Sequence, residues 1–180
     1  MKRFINLLIL FLHTLIFSEG FDGDTLVKVI DHYVPIQNLK VGDYILGYDF
    51  VKNRTEAQKI TKMVTVEAKK GCRVFLYNLN FLLGLDQQIF IKSKERWVKC
   101  QDLDLNVNIS FFDPFAQVLK IKILDGDIKF YQITTYPNHN FFIEGKVLVR
   151  DFIEKENRFW KENNFILSVF NWLKFFHLLQ

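Results

Sequence analysis

A chain of 180 residues that is 49% hydrophobic and 24% charged can bury a core, which excludes a disordered polymer; at this length one domain is the expectation. Its formal charge of +4 is spread along the chain, so no nucleic-acid partner is expected.

The amino terminus opens with Lys2-Arg3, followed by an apolar run from Phe4 to Phe17 broken only by Asn6, His13 and Thr14. That run is shorter than the roughly 20 residues a spanning helix needs, and small residues follow at Ser18 and Gly20. Residues 1–20 are therefore expected to be an export signal in helical form, cleaved after Gly20, with an uncleaved anchor as the alternative. The expected localisation is along the secretory route: periplasmic, extracellular or membrane-associated.

From Phe21 to Phe50 short runs of Val and Ile alternate with Gly and Asp punctuation. The pattern predicts strands at Thr25–Ile30, Val34–Ile36 and Tyr44–Tyr48. Glu56–Val66 and Arg73–Leu79 alternate apolar and polar residues around Lys69-Lys70-Gly71, which predicts a long hairpin. Phe81–Leu85, Gln88–Ile91 and Trp97–Lys99 follow as short strands, with a turn at Ser93–Arg96. Asn106–Phe111, Gln117–Leu124 and Lys129–Thr135 continue the series, the last two joined by a turn at Asp125-Gly126-Asp127. Asn140–Ile143 and Lys146–Val149 are expected to pair across Glu144-Gly145. About a dozen short strands predict an all-β domain over residues 21–152.

Several blocks along this path resemble one family. Phe21, Gly23-Asp24-Thr25-Leu26-Val27, Pro35-Ile36, Leu39-Lys40-Val41-Gly42-Asp43 and Leu46-Gly47-Tyr48-Asp49 are similar to the opening of Hint domains, the fold of inteins, hedgehog autoprocessing domains and the Hint modules of bacterial toxins. Leu85 to Ile91 with Arg96-Trp97-Val98-Lys99, then Pro137-Asn138-His139-Asn140-Phe141, then Val147-Leu148-Val149-Arg150-Asp151, resemble the later blocks in the family's order. The resemblance implies a pseudo-two-fold β-domain that brings Gly20, Gln87, His139 and Asp151 into one cleft. It also implies a substrate, the domain's own polypeptide, rearranged as in protein splicing or autoprocessing.

At the chemistry the chain departs from the family. The family's first residue is a nucleophile, usually Cys; Gly20 stands there and offers no side chain. A Thr-x-x-His pair is matched by Gly84 and Gln87, and Gln cannot titrate near neutrality. The closing His-Asn, whose amide cyclises to release the downstream chain, is matched by Arg150 and Asp151. Arg150 is expected to hold Asp151 ionised, lowering its reactivity near neutral pH. Only His139 keeps the family's residue type. The expectation is a Hint domain without autoproteolytic activity, acting as a binding or surface module. An active self-cleaving domain using Gln87, His139 and Asp151 stays open, as does an unrelated exported β-rich binding protein.

Other features have plainer readings. His139 between Asn138 and Asn140 is equally a turn residue. Cys72 and Cys100, the only cysteines, are a possible disulfide pair if exported. Asp22/Asp24 and Asp125/Asp127 are chiefly turn chemistry, so no metal and no cofactor is expected. Residues 153–180 change character. Lys161, Asn164, Ser168 and Asn171 recur at helical spacing opposite a wide apolar face, predicting an amphipathic helix. Its span Phe165–Leu179 either caps the domain or meets a membrane surface or protein partner.

Overall fold

The computed structural model describes residues 19–112 and 116–152. The expected signal helix, all but its last two residues, and the C-terminal helix lie outside the described residues. Within them the chain forms ten strands: β1 Leu26–Lys28, β2 Tyr33–Pro35, β3 Tyr44–Asp49, β4 Arg54–Phe75, β5 Asn80–Leu83, β6 Gln88–Ile91, β7 Arg96–Lys99, β8 Lys120–Tyr136, β9 Asn140–Ile143 and β10 Val147–Arg150. The fold is all-β and antiparallel, as the period-two patterning predicts.

One sheet has six strands in the order β2-β1-β9-β10-β6-β7; the other runs β3-β4-β5, with β8 paired to β4. The turn expected at Glu144-Gly145 joins β9 to β10 with positive φ at both residues, 49° and 75°. These are the φ signs of a hairpin turn that follows the right-handed twist, closed by the Lys146 amide donating to the Ile143 carbonyl at 3.1 Å.

Two predicted hairpins are not hairpins. Lys69-Lys70-Gly71 does not turn the chain, and β4 runs through it for 22 residues. Asp125-Gly126-Asp127 does not turn it either, and β8 runs for 17. The two strands pair with each other from Lys59↔Tyr136 to Phe75↔Lys120. Their register shifts between Ala68↔Ile128 and Lys70↔Asp125, setting Gly126 and Asp127 against Lys69. That is a β-bulge; it absorbs residues that look like a turn, and Gly126 supplies its φ of 149°. Cross-strand ion pairs Lys69–Asp127 and Lys70–Asp125 occupy both aspartates. Asn106–Phe111, expected as a strand, makes only isolated bridges, Asn108↔Gln117 and Ser110↔Val147.

Residues from both sheets meet in one core, where Ile45, Ile60, Leu83, Ile89, Ile133 and Phe141 are fully buried. The amino-terminal arm enters it as an inserted strand. Phe21 bridges to Leu83 of β5 on one side and to Tyr131 of β8 on the other. Its amide donates to the Tyr131 carbonyl at 3.0 Å and its carbonyl accepts from the Tyr131 amide at 2.8 Å. The Phe21 ring is buried 5.2 Å from Phe141, and hiding a side chain of that size contributes about 2–3 kcal/mol. This insertion fixes where residues 19 and 20 lie.

Candidate functional site

Gly20 is set by the placement of Phe21. It is buried with a φ of 127°, and its carbonyl accepts from the Gly84 amide at 2.9 Å. A Cβ built on Gly20 would lie 2.9 Å from Phe130 Cβ and 3.0 Å from the Tyr131 carbonyl oxygen. The position is thus closed to a side chain by both backbone conformation and packing.

The peptide bond before Gly20 is gripped at both polar atoms. The Glu19 carbonyl accepts from Gln132 Nε2 at 3.0 Å, and the Gly20 amide donates to Gln87 Oε1 at 3.1 Å. Gln87 Nε2 in turn donates to the Arg150 carbonyl at 2.7 Å. Gln87, 4% exposed, therefore ties the amino-terminal arm to the end of β10. Its two bonds also fix which end of its amide is oxygen, because the Gly20 amide can only donate and the Arg150 carbonyl can only accept.

The other end of the site is built around Asp151, which directly follows β10. The Asp151 amide donates to the His139 carbonyl at 3.1 Å, and the Phe152 amide to the Ile133 carbonyl at 2.8 Å. Asp151 Oδ2 accepts from the Thr135 amide, from Thr135 Oγ1 at 2.9 Å, and lies 3.2 Å from His139 Nδ1. Asp151 Oδ1 is buried with no hydrogen-bond partner among the described residues. His139 sits in a left-handed turn, φ 55°, at the approach to β9, and this presents its half-exposed ring to Asp151. Thr134 Oγ1 donates to the Phe152 carbonyl at 2.7 Å, holding the chain beyond the site.

All six positions matched to the family, Gly20, Gly84, Gln87, His139, Arg150 and Asp151, thus lie along one network. Arg150 enters it only through its carbonyl. Its guanidinium donates to Gln88 Oε1 at 3.1 Å and stacks over Trp97 at 5.8 Å. The expected lowering of the Asp151 pKa by Arg150 is overturned. Burial pushes that carboxyl above its ordinary range, against the pull of Thr135 and His139.

A raised acid pKa has a definite sign in stability. Folded Asp151 binds its proton more tightly than unfolded Asp151, so its favourable contribution is complete below about pH 4 and is lost as pH rises through the folded value. Asp151→Asn is expected to remove this fall. Urea midpoints across pH 3–7 measure it, and parallel profiles for the two proteins would refute it.

Gln132, Thr134 and Thr135 were not singled out by residue type. Gln132 and Thr135 are buried in β8, and polar side chains stay buried only when bonded.

The two antiparallel sheets and the inserted amino-terminal arm make the all-β fold of solved Hint and intein structures. No family model and no curated protein matches the chain. Among solved structures it is similar to a bacterial intein-like domain from Clostridium thermocellum, with TM-score 0.66 and 16% identity over 74% of this chain and 99% of that one. A DnaB intein from Synechocystis gives 0.65 and 16% over 76% and 100%. The gp41-1 intein gives 0.59 and 16% over 74% and 99%. At these identities the likeness carries the fold; what the site does rests on its residues.

Proposed function

We propose that this chain is an exported Hint domain whose autoproteolytic chemistry has been lost and which is retained as a binding or surface module. The observation that supports this most is the grip on the Glu19–Gly20 peptide bond. Breaking that bond needs an attacking atom and a proton for the departing nitrogen. Gly20 has no side chain, and Gln87 meets the nitrogen with its carbonyl oxygen, which accepts a proton bond and has none to give. Chemistry is replaced by a fixed hydrogen bond.

Export is supported by the Lys2-Arg3 start and the apolar run after it. A cut after Gly20 would strip the bonds to Gly84 and Gln87, so we place it upstream, after Ser18, leaving Glu19 first. Mature material beginning at Phe21 would refute that position. The partner face is assigned to Phe165–Leu179, whose apolar breadth suits a membrane surface or a protein.

A second reading has one observation in its favour. Burial favours the protonated Asp151 carboxyl, and His139 lies against it, so a carboxyl oxygen could close on the Asp151 carbonyl carbon as a cyclic anhydride while the carboxyl proton passes to the departing Phe152 nitrogen. Intact-mass measurement on purified chain held for days at neutral pH separates the two. The expected result is one unchanging mass. A fragment ending at Asp151, abolished by His139→Ala, would make the protein an active autoprocessor.

A further inference from the structure

Cys72 and Cys100 are both fully buried and both free, 28 residues apart in the chain. Cys100 Sγ lies 3.9 Å from the Cys72 carbonyl oxygen, which sets the two residues against each other. They are the only cysteines in a chain of 180 residues, and the fold sets them side by side. A single buried cysteine behaves as a small apolar residue. Two in contact have an additional chemistry open to them.

Their position relative to the site gives that chemistry a consequence. Cys72 on β4 pairs with Leu83 of β5, the residue before Gly84. The Cys100 amide donates to the Gln87 carbonyl at 2.8 Å, and the next amide, Gln101, to the Leu85 carbonyl at 3.2 Å. The backbones of the two cysteines are therefore paired to opposite ends of the segment Gly84–Gln87, and Gly84 and Gln87 are the residues that hold Gly20.

We propose that Cys72 and Cys100 are a redox pair that closes to a disulfide and clamps the Gly84–Gln87 segment against the amino-terminal arm. The oxidant is a low-molecular-weight disulfide. When a local opening exposes the pair, one protein thiol, as thiolate, attacks a sulfur of that disulfide and expels the other half as a thiolate. The second protein thiol loses its proton and attacks the mixed disulfide, expelling the remaining half. The protein dithiol becomes a disulfide and the oxidant becomes two thiols. Cys72 is the better first nucleophile. The hydrogen bond from Cys100 lowers its thiol below the ordinary value, whereas burial pushes Cys100 well above.

The test uses the unaltered chain equilibrated with excess oxidised glutathione, and it does not depend on whether the protein is exported or cleaves itself. The expected product is monomeric, lighter by two hydrogens, and resistant to alkylation after unfolding until a reductant is added. Closing a loop of this length is expected to raise the melting temperature by roughly 10 °C. Hydrogen exchange at the Gly84 and Gln87 amides should slow by about tenfold relative to the reduced chain. Two alkylatable thiols at equilibrium, stable glutathione adducts, or disulfide-linked dimers would overturn the pair. An internal disulfide that leaves exchange at Gly84 and Gln87 unchanged would overturn the clamp.

Discussion

Replacing Gly47 with alanine is expected to destabilise the domain by about 3 kcal/mol or more, lowering its melting temperature by roughly 10 °C. Gly47 lies in β3, where this strand crosses β9 of the other sheet. A Cβ there would sit 2.4 Å from the Asn140 carbonyl oxygen, 2.7 Å from Gln58 Cγ and 2.9 Å from Asn140 Oδ1. The nearest of these is backbone, which cannot swing aside as a side-chain end can. Asn140 is itself committed, accepting from the Tyr48 amide at 2.7 Å and donating to the Tyr48 carbonyl at 3.0 Å. Making room for a methyl would therefore push the sheets apart and leave some of these buried groups unpaired, at about 1–3 kcal/mol for each one stranded. Denaturant midpoints measure the loss. A Gly47→Ala protein within about 1 kcal/mol of the parent would mean that the crossing is looser than described.

That crossing also shows what the sequence could and could not disclose. Strand existence was legible because a short apolar run bounded by polar residues is a local signal: Gln88–Ile91 and Asn140–Ile143 appear with the predicted bounds. Strand continuity was not. Lys69-Lys70-Gly71 and Asp125-Gly126-Asp127 have turn composition, and only their pairing with each other shows that the chain passes straight through a bulge. The grouping of Gly20, Gln87, His139 and Asp151 came from the resemblance, since no local pattern places residue 20 beside residue 151. Three consequences of that grouping depend on packing alone. These are the closed space at Gly20, the role of Gln132, and the displacement of Arg150's charge from Asp151 to Gln88 and Trp97. Charge adjacency in sequence predicted the Asp151 pKa with the wrong sign, because the Arg150 guanidinium is held at Gln88 and Trp97 while Asp151 is buried.

The same packing divides the site into a half that is closed to repair and a half that is not. Gly20→Cys should fail as a restoration: its Cβ meets Phe130 and the Tyr131 carbonyl, and the residue would have to hold a φ of 127°. At Asp151 the obstacles are smaller. Asp151→Asn changes one atom, keeps the backbone bonds of Asp151 and Phe152, and provides the side-chain amide that the family resemblance calls for. Its nitrogen would form a bond to its own carbonyl carbon as the bond to Phe152 breaks. One proton leaves the amide nitrogen, and the departing Phe152 nitrogen takes one up. The Thr135 amide only donates, so the new oxygen takes the Oδ2 place and the nitrogen the partnerless Oδ1 place; His139, 3.2 Å from Oδ2, is the titratable group beside this side chain that can move the proton. The expected outcome is release of residues 152–180 from Asp151→Asn without any added thiol, at least roughly 10²-fold faster than from the parent. His139→Ala in the same background should return the rate to the parental level while the urea midpoint stays near that of Asp151→Asn, which distinguishes lost proton transfer from lost folding. Mass spectrometry follows the fragment and its cyclised terminus. If Asp151→Asn stays intact although folded, then the Gln87 and Arg150 replacements block this half as firmly as Gly20 blocks the other.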